Sequence, residues 1–158
     1  MKRALVVVIA IMMIAAAGAF AQRTEGLAIG GEATISYSAA APIPGGGMFL
    51  LHIPRFPLMM AIGVNSAPAI RLHADYWFAK SQGPSVLGAY VGVGAYLTLG
   101  LNPSSVSVGA RLPLGVDVWP FREHLEFFLE LAPSIGVRLV PTGFDWHLHG
   151  ALGLRYWF

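Results

Sequence analysis

Apolar and polar positions alternate along most of this chain with a period of two. Over 144–158, Phe144, Trp146, Leu148, Gly150, Leu152, Leu154, Tyr156 and Phe158 form one series. Asp145, His147, His149, Ala151, Gly153, Arg155 and Trp157 form the other. Successive side chains of a strand point to opposite faces, so this stretch reads as a strand with one apolar and one polar face. It ends on an aromatic residue. Earlier segments repeat the pattern at 27–38, 48–54, 58–65, 69–79, 87–99, 106–118 and 125–139. Turn signals rich in Pro, Gly and Asn separate them, and 39–47 reads as the longest loop. Pro113 and Pro133 fall inside segments where a paired strand excludes proline, and are expected to mark bulges.

Alternation alone does not say which face is outside, because a soluble barrel hides its apolar face and a membrane barrel displays it. The charges decide. Glu32, Arg71, Asp75, Arg111, Asp117, Glu126, Glu130, Arg138, Asp145 and Arg155 all lie on polar faces. Arg23, Glu25, Arg55, Lys80, Arg122 and Glu123 fall in turns or the N-terminal lead. No charge lies on an apolar face, as expected where a lipid-facing Arg or Lys costs about 2–4 kcal/mol at the bilayer midplane. The polar faces carry Gly and Tyr rather than Lys and Thr, which suits a cramped interior. Tyr37, Tyr76, Trp146 and Tyr156 sit near segment ends on the apolar face, where an aromatic girdle belongs. The expected fold is all-β: an eight-stranded antiparallel up-and-down transmembrane β-barrel.

Composition agrees with that fold. The chain is 56% hydrophobic and only 11% charged, against about 25% charged in typical soluble domains. Cysteine is absent, which excludes disulfides and zinc-thiolate sites. Lys2 and Arg3, an apolar run over 4–14 and the small-residue exit Ala19-Phe20-Ala21 form a secretory leader. The expected organisation is a cleaved signal peptide over 1–21 and a barrel domain over 22–158. Without Lys2 and Arg3 the formal charge of +2 vanishes, so no basic surface for nucleic acid is expected. Beyond the leader no stretch of 18 apolar, uncharged residues occurs, which leaves strands as the means of spanning.

An eight-stranded barrel is just wide enough for side chains to fill. Charges inside it must pair, because an unpaired buried charge is costly. If the last hairpin turns at Pro141-Thr142, Arg138 lies opposite Asp145, while Arg155 lies diagonal to Glu126 and Glu130. If the preceding hairpin closes over 120–123, Asp117 faces Glu126 and Arg111 is diagonal to Glu130. Arg111, Asp117, Glu126, Glu130, Arg138, Asp145 and Arg155 are therefore expected to form a lumen network that holds the barrel shut. His147 and His149 beside Asp145, and His73 beside Asp75, are read as interior hydrogen-bonding groups. A metal site needs three or four converging ligands, so none is expected, nor any other cofactor. No Ser or His lies on an apolar face where it could reach lipid chains, so no enzyme is expected.

Arg111-Leu-Pro-Leu-Gly115, Leu125-Glu-Phe-Phe-Leu-Glu-Leu-Ala-Pro133, Gly150-Ala-Leu-Gly-Leu-Arg-Tyr-Trp-Phe158 and Ala74-Asp-Tyr-Trp77 together resemble a family of small barrels known mainly from spirochaetes. The resemblance covers roughly 65–158. It implies an outer-membrane barrel similar to the transmembrane domain of OmpA, with no established activity. The terminal Tyr156, Trp157 and Phe158 resemble the recognition signal read by outer-membrane assembly machinery. The expected partners are that machinery, outer-membrane lipid and an extracellular partner of unknown identity. The expected role is structural or partner-binding, behind a charge-plugged lumen. The alternative is a porin-like narrow pore or carrier for small solutes.

Overall fold

The computed structural model describes residues 26–38, 42–53, 58–66, 68–82, 86–101, 104–120 and 124–158. The expected leader lies outside the described residues, as do Arg23, Glu25, Arg55, Arg122 and Glu123. The chain forms β1 (Ala28–Ser38), β2 (Pro42–His52), β3 (Leu58–Asn65), β4 (Ala69–Gln82), β5 (Leu87–Leu101), β6 (Ser104–Arg111), β7 (Leu114–Val118), β8 (Leu125–Val140) and β9 (Thr142–Trp157). Every pairing is antiparallel. Both β6 and β7 sit between β5 and β8, so they make one stave, and β1 pairs with β9 to close the ring. Eight staves result, with no free edge. Closure removes the unpaired backbone groups that an open sheet would present.

The alternation sorts as the charges indicated. Ile35 and Phe144 are 71% exposed and Leu152 62%, whereas Asp117 and Glu126 are 0% exposed and Arg155 1%. Apolar side chains clothe the outer wall and ionic ones fill the lumen. Tyr37 and Trp146 stand outward near the hairpin ends of β1 and β9, and Tyr76 and Tyr156 outward near the end that carries the C-terminus. These form two aromatic belts.

Three expectations need correction. First, the stretch taken as the long loop 39–47 is largely strand, since β2 begins at Pro42 and Gly46 pairs with both Thr34 and Asn65. Glycines carry no side chain and so give no alternation to read. They are required here by close approach: a Cβ on Gly46 would overlap the Val64 carbonyl oxygen. Second, neither Pro113 nor Pro133 inserts an extra residue. Two residues lie between Arg111 and Leu114, and two lie between their partners Ser134 and Leu131. The two prolines instead share one gap in the ladder. The Leu112 N–H donates to the Pro133 carbonyl at 3.0 Å, and Pro133 has no N–H to return the bond. Third, β4 runs past residue 79 to Gln82 and carries a bulge: Trp77 pairs with Gly92 but Ala79 with Val91. The extra residue inverts the alternation, so Lys80 turns into the lumen opposite Tyr90 and is 9% exposed.

Lumen glycines make room for the large inward side chains. A Cβ on Gly115 would overlap the Tyr90 ring, and one on Gly94 would overlap the Asp75 carboxylate. Gly115→Ala should therefore displace Tyr90 and cost about 1–3 kcal/mol, as overpacking does. Gly143→Ala, where an added Cβ meets nothing within 4 Å, should be close to neutral. Urea unfolding of the detergent-folded variants measures both, and equal effects would refute the packing argument.

Candidate functional site: the lumen charge network

The network is densest near the end where β1 begins and β9 ends, called the end of the termini. Glu126 stands directly opposite Arg155 across the β8–β9 pair. Its Oε1 accepts from Arg155 Nη1 at 2.8 Å and from Lys80 Nζ at 3.1 Å, and its Oε2 accepts from Trp157 Nε1 at 2.6 Å. One buried carboxylate thus meets two cations and an indole. Lys80 Nζ also lies 4.8 Å from the ring centre of Trp77, 5.2 Å from those of Trp119 and Trp157, and 5.9 Å from that of Tyr90. These faces attract a desolvated ammonium. The Arg155 guanidinium carbon stacks 3.6 Å from the Phe128 ring, and Asp117 accepts from Trp119 Nε1.

Above this knot a relay crosses the barrel. Arg155 Nη2 donates to the Tyr90 hydroxyl oxygen at 3.2 Å, and that hydroxyl donates to Glu130 Oε2 at 2.8 Å. Glu130 Oε1 accepts from Arg111 Nη2. Arg111 Nη1 donates to His73 Nδ1, and Arg111 Nε lies 3.3 Å from Asp75 Oδ1. His73 Nε2 lies 3.7 Å from Asp75 Oδ2. In the half remote from the termini, Arg71 Nη1 donates to Ser36 Oγ at 2.7 Å, and the Tyr96 hydroxyl donates to Asp145 Oδ2 at 3.2 Å.

Of the predicted residues, Arg111, Glu126, Glu130 and Arg155 come together, Asp117 borders them, and Arg138 and Asp145 do not join. The register explains the differences. Asp145 pairs with Gly136 and Arg138 with Gly143, two residues from the expected match, because the hairpin is as tight as Leu139 opposite Thr142. Arg138 and Asp145 form no ion pair. The same offset places Arg155 opposite Glu126 rather than diagonal to it, while in the β7–β8 pair a shift of two in the other sense puts Asp117 opposite Phe128 rather than Glu126. Arg155 reaches Glu130 only through Tyr90. Sequence reasoning missed Lys80, because the bulge after Trp77 left no trace in the apolar–polar pattern. Trp157, expected as part of an assembly signal, points inward to Glu126 at 4% exposure, while Tyr156 and Phe158 point outward.

His73 and His149 approach with ring centres 6.1 Å apart. Among the described residues no group of three or more His, Asp or Glu converges as metal ligands do. An open depression of about 600 Å³ lies on the outer wall beside Phe49, Ile62, Ala74, Ala95 and Val108. Its outward side chains are apolar and bring no reactive group.

Glu126→Gln should leave Lys80 and Arg155 facing a neutral amide and cost about 3–5 kcal/mol. In a double-mutant cycle with Arg155→Met, the coupling should fall within about 0.5–3 kcal/mol. The cycle Arg138→Gln with Asp145→Asn should be additive within roughly 0.5 kcal/mol. Urea unfolding in detergent provides the measurement, and the opposite ranking would overturn the register assigned here.

No protein-family model matches the chain, and no curated protein matches it. Among solved structures, the crystal structure of Neisserial surface protein A (NspA) is similar, at 16% identity and a TM-score of 0.45, with 84% of this chain and 96% of that chain covered.

Proposed function

We propose that the mature chain is an outer-membrane barrel with a closed lumen and a structural role, exported by a leader over 1–21. The observation that carries this reading is the Glu126 knot, in which Lys80 and Arg155 neutralise a carboxylate of 0% exposure beneath a lid of aromatic rings. A path for free diffusion would leave such groups wet. The apolar outer wall supports the membrane setting. Ile35, Ile62, Phe144, Ile135 and Leu152, each more than half exposed, have no counterpart on a soluble barrel and suit hydrocarbon. An even number of staves returns the chain to its starting side, so both termini face the periplasm. The opposite, external end then carries the connections from β1 to β2, β3 to β4, β5 to β6 and β8 to β9, which the strand bounds leave one to three residues long. So little loop surface favours a structural role over partner binding. Kinship with the small spirochaetal barrels rests on the motifs of the second half.

Refolded protein in a planar bilayer should show no steady conductance, whereas Lys80→Ala combined with Glu126→Ala should open measurable current. Steady current through the unmutated barrel would establish the alternative, a narrow pore or carrier. The C-terminus should resist externally added protease in intact cells, and cleavage there would reverse the orientation.

The outward ring of Phe158 is 65% exposed and suits recognition by assembly machinery better than packing. Deleting Phe158 should lower the amount inserted in cells while leaving refolding in detergent nearly intact. Equal loss in both assays would assign the residue to packing.

A further inference from the structure

The two halves of the lumen are not equivalent. Lys80 and Arg155 each meet Glu126, and Arg111 meets Glu130 and Asp75. Arg71 has no such partner. It is 2% exposed, its one hydrogen bond goes to the neutral Ser36 hydroxyl, and no carboxylate lies within 4.0 Å among the described residues. Its Nε has no hydrogen-bond partner, as is also true of Arg111 and Arg155, so the absence of a carboxylate contact is what sets Arg71 apart. Around it the ladder gathers other unsatisfied groups. Ser36 stands opposite His149, and Arg71 opposite Thr98. His149 is 1% exposed with both ring nitrogens unpartnered, and His147 Nδ1 and Thr98 Oγ1 are likewise unpartnered.

We propose that this far half of the lumen is a binding site for a small inorganic anion of chloride size, held by Arg71 with His149, His147 and Thr98. A buried guanidinium needs a counter-charge, and its removal from water is not repaid by a hydroxyl alone. No acid of the described residues contacts Arg71 directly, although Asp145 and Glu32 attract it from beyond 4.0 Å. Asp145 accepts from Tyr96 and lies 3.9 Å from His147 Nδ1, and Asp75 lies against Arg111. Glu32, with Oε1 unpartnered, is not within 4.0 Å of Arg71 either. Water would satisfy the hydrogen bonds but would supply no charge. A metal cation would be repelled by Arg71 and Arg111. A neutral imidazole presents one N–H donor, and Thr98 one O–H donor, so the donors around an anion suffice. A lumen filled by side chains admits only a small ion. Access is from the end remote from the termini, since Arg71 is the third residue of β4 after the β3–β4 hairpin. The knot around Glu126 closes the other way out.

The test is thermal unfolding of the detergent-folded, unmutated protein at fixed ionic strength, with sodium gluconate replaced stepwise by sodium chloride. A saturable rise of a few degrees in the midpoint is expected, lost in Arg71→Met and reduced in His149→Phe. Crystals soaked in bromide should give an anomalous peak beside the Arg71 guanidinium, a readout that does not depend on the variants folding. Equal midpoints in gluconate and chloride, a response to sulfate alone, or an Arg71 guanidinium paired with Asp145 or Glu32 and no bromide peak would each overturn the proposal.

Discussion

The carboxylate of Glu126 is the constraint on which the lumen depends. A carboxylate of 0% exposure is tolerable only if its charge is compensated and its oxygens are saturated. Arg155, Lys80 and Trp157 do both, and each is delivered by a different piece of geometry. Arg155 arrives through the β8–β9 register, Lys80 through the bulge of β4, and Trp157 through the last pairing of β1 with β9. Closure of the ring, the bulge and the final register are thus tied to one another by a single acid. The same interaction sets the specificity of the fold. A slip of two residues keeps every side chain on its own face and leaves the apolar wall unchanged. Contacts inside the lumen, ionic and packing alike, distinguish the correct pairing from that slip.

This division explains what the sequence made legible. Faces were readable because the two-residue period is a property of the backbone and no charge falls on the outward series of the described strands. Strand number followed from turn signals, and eight staves resulted. Register was not readable to better than two residues, because the alternation repeats after two. The expected pairs Arg138–Asp145 and Asp117–Glu126 failed for that reason, while Arg111 still met Glu130, since long side chains span the error. Lys80 was illegible for a different reason. A bulge inverts the alternation locally, and this one left no trace in the sequence pattern. In β2 the glycines over 45–47 erased the pattern altogether.

The glycines and tyrosines of the inward faces form a single packing device. Tyr90 and Tyr96 reach across the lumen to Glu130 and Asp145. Gly115 lies under the first ring, and Gly109 and Gly136 approach the second. A methyl group at those positions would force the phenols aside and break the relay from Arg155 to Glu130. Small and large residues therefore alternate around the circumference, so that polar heads meet near the axis while backbones stay in register.

The proposed membrane setting changes which forces can hold such a molecule together. In water the apolar side chains would supply most of the driving force by leaving solvent. In a bilayer, the outer wall exchanges one apolar neighbour for another, and the hydrophobic effect does not discriminate between stave arrangements. The ladder of the closed ring satisfies the backbone, which lipid requires of any spanning structure, but it does so equally in several registers. Specific energy must then come from the lumen, where charge-assisted hydrogen bonds are among the strongest available. The terminus-bearing half pairs its cations with its own carboxylates, although Asp117 Oδ1, Trp77 Nε1 and Arg155 Nε there are unpartnered. The remote half does not, since Arg71 is left with a hydroxyl and the nitrogens of His149 with nothing among the described residues. A polar core this dense stabilises only when it is complete, because each unsatisfied buried group costs more than an apolar substitute would. The remote half is therefore where the anion proposed above would add most.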